Sequence, residues 1–131
     1  MAKYLEKNLE DWNVSDFHAY MIDKHIEMFG ISYQPFINWG AEKGLLGRFV
    51  GTAKKKGEVS KEVAKEFIDI IFRDHKPTRK YPGVNFGSNY THRKFLIQQA
   101  GFEVNKRKEQ EAKQVQEKQN ATSYEDLAKL L

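Results

Sequence analysis

Glycine recurs at positions 40, 44, 47 and 51 of the stretch Trp39-Gly40-Ala41-Glu42-Lys43-Gly44-Leu45-Leu46-Gly47-Arg48-Phe49-Val50-Gly51-Thr52-Ala53-Lys54-Lys55-Lys56, and no other feature restricts the fold as much. Wound as one helix at about 100° per residue, the stretch sorts into two faces. Leu45, Leu46, Phe49, Val50 and Ala53 share one side, the pattern of a helix buried along a single stripe. The four glycines gather opposite, with Lys43 and Lys54 along one edge and Arg48 and Lys55 along the other. A glycine inside a helix costs roughly 0.5–1 kcal/mol relative to alanine, so four of them need a reason. Either the glycine face admits a neighbouring element of the same chain, or breaks the helix in two, or it lets a phosphate-bearing ligand approach the backbone between the flanking cations.

The rest of the chain narrows the setting. Its 131 residues suffice for one domain with a modest core plus appendages. Cysteine is absent, which excludes a disulfide framework and thiolate metal sites and suggests an intracellular protein. The first residues lack the apolar run of a signal peptide, and no apolar segment is long enough to span a bilayer, so a soluble, cytoplasmic protein with no membrane partner is expected. The net charge of +4 is unevenly spread. Residues 1–42 hold three basic residues against seven acidic ones, residues 43–94 thirteen against five, and residues 95–131 six against six. A basic middle of this kind is the footprint of a polyanion-binding surface.

The periodicity predicts a mostly α-helical, compact bundle. Residues 1–11 form an N-terminal arm, running as a short amphipathic helix or extended segment up to Trp12. Asn13 or Ser15 caps a helix through Phe29 that Gly30 ends, with Phe17, Tyr20, Met21 and Met28 on one side and His25 and Phe29 beside them. Ser60 caps a helix to about Asp74 with Val63, Phe67, Ile70 and Ile71 as its core stripe, and Glu62–Lys65 and Asp69–Arg73 as intrahelical ion pairs. Residues 76–88, with two prolines and two glycines, form a loop or hairpin-like excursion, read as a short β-wing at 78–87. A further helix starts at Ser88 or Asn89 and stops before Gly101. The domain therefore covers 12–101. Residues 102–120, rich in Lys, Glu and Gln, cannot pack a core and make a charged tether or a solvated single helix. Residues 121–131 recover an apolar side through Tyr124, Leu127, Leu130 and Leu131 and read as a short docking helix for a protein partner, for the domain itself or for a second copy in a homodimer.

Catalytic constellations are missing. His18, His25, His75 and His92 are scattered without carboxylates at ligand spacing. Glu62, Glu66 and Asp69 lie along one helix side, where basic neighbours make them a solvated face rather than a magnesium site. The glycines fit neither a phosphate-binding loop nor a dinucleotide motif, and no serine sits in a nucleophile elbow. The expectation is a non-enzyme without metal or cofactor. Binding is better supported. Lys43, Arg48, Lys54, Lys55, Lys56 and Lys61 can track a phosphate backbone. Arg79, Lys80 and Tyr81 interleave cations with an aromatic ring in the loop, and Arg93 and Lys94 anchor the helix that follows. Duplex DNA is the expected ligand.

Asp16-Phe17-(x)2-Tyr20, Met28-Phe29-Gly30-Ile31-Ser32-Tyr33, Trp39-Gly40 leading to Leu45-(x)3-Phe49, and Glu66-Phe67-Ile68-Asp69-(x)2-Phe72 together resemble the layout of small bacteriophage replication or transcription accessory proteins with a helical, winged-helix-like DNA-binding domain. The resemblance covers about residues 12–100 and rests on aromatic and apolar anchors. It implies a non-catalytic DNA-binding accessory role for that span; the segment after 101 has no counterpart in the resemblance, and its apolar C-terminal helix is expected to recruit a replication or transcription protein. Two other classes fit the same residues: a phage-type protein that binds and inhibits or redirects a host protein, and a structural or scaffold protein.

Overall fold

The computed structural model describes the backbone of residues 3–130 and the side chains of residues 4–119. Two 3-10 turns, Lys3–Glu6 and Leu9–Asp11, precede five helices: α1 (Val14–Phe29), α2 (Trp39–Val50), α3 (Lys61–Asp74), α4 (Phe86–His92) and α5 (Phe95–Leu130). Among the described residues there is no strand, and the one isolated antiparallel bridge joins Gly51 and Lys56.

The centre of the bundle is α3, not the glycine-bearing helix. Ser60 caps it, its side chain accepting from the Val63 amide at 3.2 Å, and Ala64, Phe67, Ile68, Ile70, Ile71 and Phe72 are all buried. The core is thus wider than the four-residue stripe, because α3 touches α1, α2, α4 and α5 at once. Phe49, Phe67, Phe86 and Tyr90 form a continuous aromatic cluster with ring centroids 5.3–5.9 Å apart. Each such contact adds about 0.5–1.5 kcal/mol beyond the burial of its area. On the polar side the expected Glu62–Lys65 and Asp69–Arg73 pairs do not form: Asp69 binds Lys65 one turn earlier on α3 and Lys24 on α1, while Glu66 binds Arg107 and Glu62 faces Lys108, both on α5. Tyr20 also donates to Asp69. Burial pushes the Asp69 carboxyl up, but the hydrogen bonds from Tyr20 and Lys65 and the charges of Lys65 and Lys24 outweigh it and hold the carboxyl below its ordinary value.

Helix α1 begins and ends as its sequence dictates. Asn13 and Asp16 form a reciprocal capping box, and Gly30 closes the helix in the left-handed region at φ 70°. Phe17, Met21 and His25 are buried, whereas Met28 is exposed. The expected N-terminal arm is not free. Tyr4 and Trp12 are buried edge to face at 5.2 Å, and Tyr4 donates to Asp23 on α1 at 2.7 Å.

Three expectations after residue 75 are corrected. Residues 78–87 carry no strand pairing; Pro77 and Pro82 remove two amide donors, and Thr78 and Tyr81 close a tight turn instead. The helix expected from Ser88 or Asn89 to Ala100 is two helices, α4 capped by Asn85 and α5 starting at Phe95, with the break at Arg93–Lys94. Gly101 does not stop α5, because Leu96, Ala100 and Val104 bury a stripe against the core on both sides of it. Residues 102–120 accordingly continue one helix, as do residues 121–130. The side chains of Tyr124, Leu127 and Leu130, and all of Leu131, lie outside the described residues.

Candidate functional site

The glycine-bearing stretch is a helix only as far as Val50. Asn38 caps α2, accepting from the Ala41 amide at 2.8 Å, and Gly51 leaves the helix with φ 91°. The chain then folds back sharply. The Thr52 amide donates to the Lys55 carbonyl at 2.8 Å, and the Glu58 amide donates to the Arg48 and Phe49 carbonyls at 3.2 and 3.0 Å. This return brings Gly57 against the end of α2: a Cβ at 57 would lie 2.4 Å from the Val50 carbonyl carbon, and one at 51 would lie 2.5 Å from the Gly57 nitrogen.

The glycine face therefore divides. Gly51 serves internal packing, where backbone meets backbone. Gly44 is open, with nothing within 4 Å of its would-be Cβ, and Gly47 would meet only the side chains of Thr52 at 3.4 Å and Val14 at 3.7 Å. Gly44 and Gly47 form the floor of a groove of about 450 Å³ whose far wall is the 52–57 turn. Lys43, Arg48, Lys55 and Lys56 line it, all exposed, and none makes an ion pair among the described residues. Thr52 Oγ1 accepts from the amides of Lys54 and Lys55, each at 3.3 Å, which leaves its own hydroxyl proton free to donate outward. Four unpaired cations, a hydroxyl donor and side-chain-free backbone make a site for phosphate or carboxylate oxygens.

One carboxylate lines the groove, that of Glu58, and it accepts a hydrogen bond from the Tyr90 hydroxyl. Burial, followed by the bond to and charge of Glu58, pushes Tyr90 up to about 12, with Arg48 opposing. The Lys94 ammonium rides 5.1 Å from the centroid of the Tyr90 ring, so Tyr90 links it to the groove's rim.

The remaining basic residues named from sequence are elsewhere. Lys54 is exposed on the same turn, outside the groove lining. The Lys61 ammonium is committed to the Glu10 carbonyl at 2.7 Å and ties the N-terminal turns to α3 rather than facing a ligand. Arg93 is half-buried, 3.4 Å from the Asn89 side-chain oxygen and 5.6 Å from the Phe95 ring centroid. Arg79, Lys80 and Tyr81 are exposed on the 75–85 loop, where the Lys80 ammonium lies 5.5 Å from the Tyr81 ring centroid.

Sequence reasoning missed the densest polar constellation in the molecule. Glu42 is fully buried, although it sits on α2 one turn before Leu46. Its Oε1 accepts from the Tyr33 hydroxyl at 2.5 Å and lies 3.0 Å from His18 Nε2. Its Oε2 accepts from the amides of Phe36 at 2.8 Å and Gly87 at 3.2 Å. Burial pushes the Glu42 carboxyl up, but bonds from His18, Tyr33, Phe36 and Gly87 more than compensate and hold it below its ordinary value. Enclosed on every side, the carboxylate fastens α1, the 31–38 loop, α2 and α4 together. The signal was present: a lone acid at i−4 and i−7 from Leu46 and Phe49 belongs to the apolar stripe. Among the described residues no group of three or more His, Asp or Glu side chains could hold a metal ion, and no helix is long and apolar enough to cross a membrane.

Comparison of the chain with protein-family profiles, with curated proteins and with solved structures found no match.

Proposed function

We propose that this protein is a non-catalytic DNA-binding accessory protein, contacting phosphates through the groove over Gly44 and Gly47. The observation that carries the reading is the set of four exposed, unpaired cations, Lys43, Arg48, Lys55 and Lys56, around backbone that bears no side chains. The resemblance to phage replication or transcription accessory proteins supports the same reading. In it, the exposed loop with Arg79, Lys80 and Tyr81 takes the place of a wing, and residues 121–131 recruit a protein of the replication or transcription machinery.

Fluorescence anisotropy with labelled oligonucleotides, using the full chain at about 0.1 M salt, tests the proposal. With four phosphate contacts on duplex DNA, log affinity falls against log salt with a slope of about −3.6. The double charge reversal Arg48→Glu, Lys55→Glu lowers affinity more than about tenfold, while Lys106→Glu on the exposed part of α5 changes it less than about twofold. If micromolar protein binds no DNA, single- or double-stranded, or if the double reversal binds as the wild type does, the reading fails.

A further inference from the structure

Beside the cationic groove lies a second, shallower cleft of about 330 Å³, lined by Ser15, His18, Ala19, Ile22, Trp39 and Lys43. Lys43 belongs to both, so the two share a wall. Resting on the DNA-binding reading above, we infer that this cleft takes one unpaired nucleobase, stacked on Trp39, from a strand whose phosphates lie along the groove.

The ring available for stacking is held by its neighbours and still partly open. Trp39 packs edge-on against His18 at 5.4 Å and at a tilt against Tyr33 at 5.9 Å, yet 42% of it stays exposed. Ala19 and Ile22 give the cleft an apolar side, while the Ser15 hydroxyl supplies a donor and acceptor; Asn13 rather than Ser15 caps α1. An apolar cleft with an aromatic face and a few polar groups suits a flat heterocycle with hydrogen-bonding edges.

His18 provides the independent observation. It lines the cleft, is only 4% exposed, and its Nδ1 has no hydrogen-bond partner among the described residues. Its other nitrogen, Nε2, faces a carboxylate that is already an acceptor to three further donors, so Nε2 carries the proton. That leaves Nδ1, on a ring that lines the cleft, as a buried polar atom without a partner among the described residues. A base presenting an amino or imino N–H carries a donor of the kind this nitrogen lacks.

The geometry along α2 matches a strand rather than an isolated base. Trp39, Lys43 and Gly47 succeed one another at i, i+4 and i+8, which spaces Trp39 about 8 Å along the axis from Gly44 and about 12 Å from Gly47 on the groove floor. A stacked base at Trp39 thus leaves its own phosphate near Lys43 and the next ones over Gly44 and Gly47. The backbone entering α2 is also constrained: exposed Ile37 sits at φ 64° inside a turn in which the Asn38 amide donates to the Phe36 carbonyl at 2.7 Å.

The test measures binding of the full chain to a labelled oligothymidine, to an abasic strand of equal length with the same phosphates, and to a matched blunt duplex. The wild type should bind oligothymidine about tenfold or more tightly than the abasic strand, with tryptophan emission quenched. Trp39→Leu should bring oligothymidine affinity down to the abasic value and leave duplex affinity within about twofold, whereas Trp39→Phe keeps most of the preference. Circular dichroism confirms that each variant is folded, and the abasic arm needs no variant. If the wild type binds both single strands equally, or if Trp39→Leu and Trp39→Phe keep the full preference, the base cleft is wrong. In that case loss of all binding in the Arg48→Glu, Lys55→Glu protein leaves the phosphate groove standing. Absence of any DNA binding removes both.

Discussion

Glu42 sets the chemistry of the interior. Removing a fully buried carboxylate that accepts four hydrogen bonds leaves its donors without partners. Glu42→Ala should therefore destabilise the fold by about 3–5 kcal/mol, and Glu42→Gln by about 1–3 kcal/mol, read as shifts in urea-unfolding midpoints. The pH dependence has a definite sign. The folded carboxyl sits below its ordinary value of 4.5, so its contribution is complete above that pH and drains away as the pH falls below it. Wild-type stability should thus drop more steeply below pH 4.5 than that of Glu42→Gln, with Asp69 adding a parallel loss common to both proteins. Equal acid slopes would mean that Glu42 is not the fastener described above. Its position on the apolar stripe was legible in the sequence. Its partners were not, since Tyr33, Phe36 and Gly87 reach it from a loop and from another helix, and no spacing rule connects them to residue 42.

At the scale of elements, α2 and its returning turn separate two kinds of glycine. Gly44→Ala, Gly47→Ala meets no backbone and should raise thermal stability, by about 0.5–1 kcal/mol per site from helix propensity. The same pair places two methyl groups on the groove floor and should weaken DNA binding several-fold in the anisotropy assay. Gly57→Ala behaves oppositely, because its Cβ would lie 2.4–2.7 Å from the backbone of residues 49–51. The turn must open, so the melting temperature should fall clearly, and a Gly57→Ala protein as stable as the wild type would refute the backbone contact. Helix ends were the part of the fold most readable in advance: Asn13, Gly30 and Ser60 each cap or close a helix through local chemistry alone. The turn at 52–57 was hidden because the lysine run scans as a helical continuation, and only the contact between Gly51 and Gly57 ends α2. The passage of α5 through Gly101 was hidden for the complementary reason: tertiary burial of Leu96, Ala100 and Val104 outweighs a local breaker.

For the whole molecule, the bundle is assembled from helices whose polar sides are stitched to distant elements, as the α3–α5 ion pairs show. The compact helical class was readable from periodicity, whereas the identity of α3 as the hub was not, because a helix with four neighbours and one with two show similar stripes. The connectivity of Glu42 also has a consequence for the order in which the chain folds. Its partners stand 24 residues before it at His18 and 45 after it at Gly87. These bonds close only when α1, α2 and α4 have already docked, so they belong to the descent from the folding barrier rather than to the climb. Stopped-flow experiments on Glu42→Gln should find unfolding accelerated by most of the lost stability and refolding nearly unchanged, a φ-value close to zero. Such a residue acts as a latch: it governs how long the native state persists once formed, and has little say in how quickly it is reached.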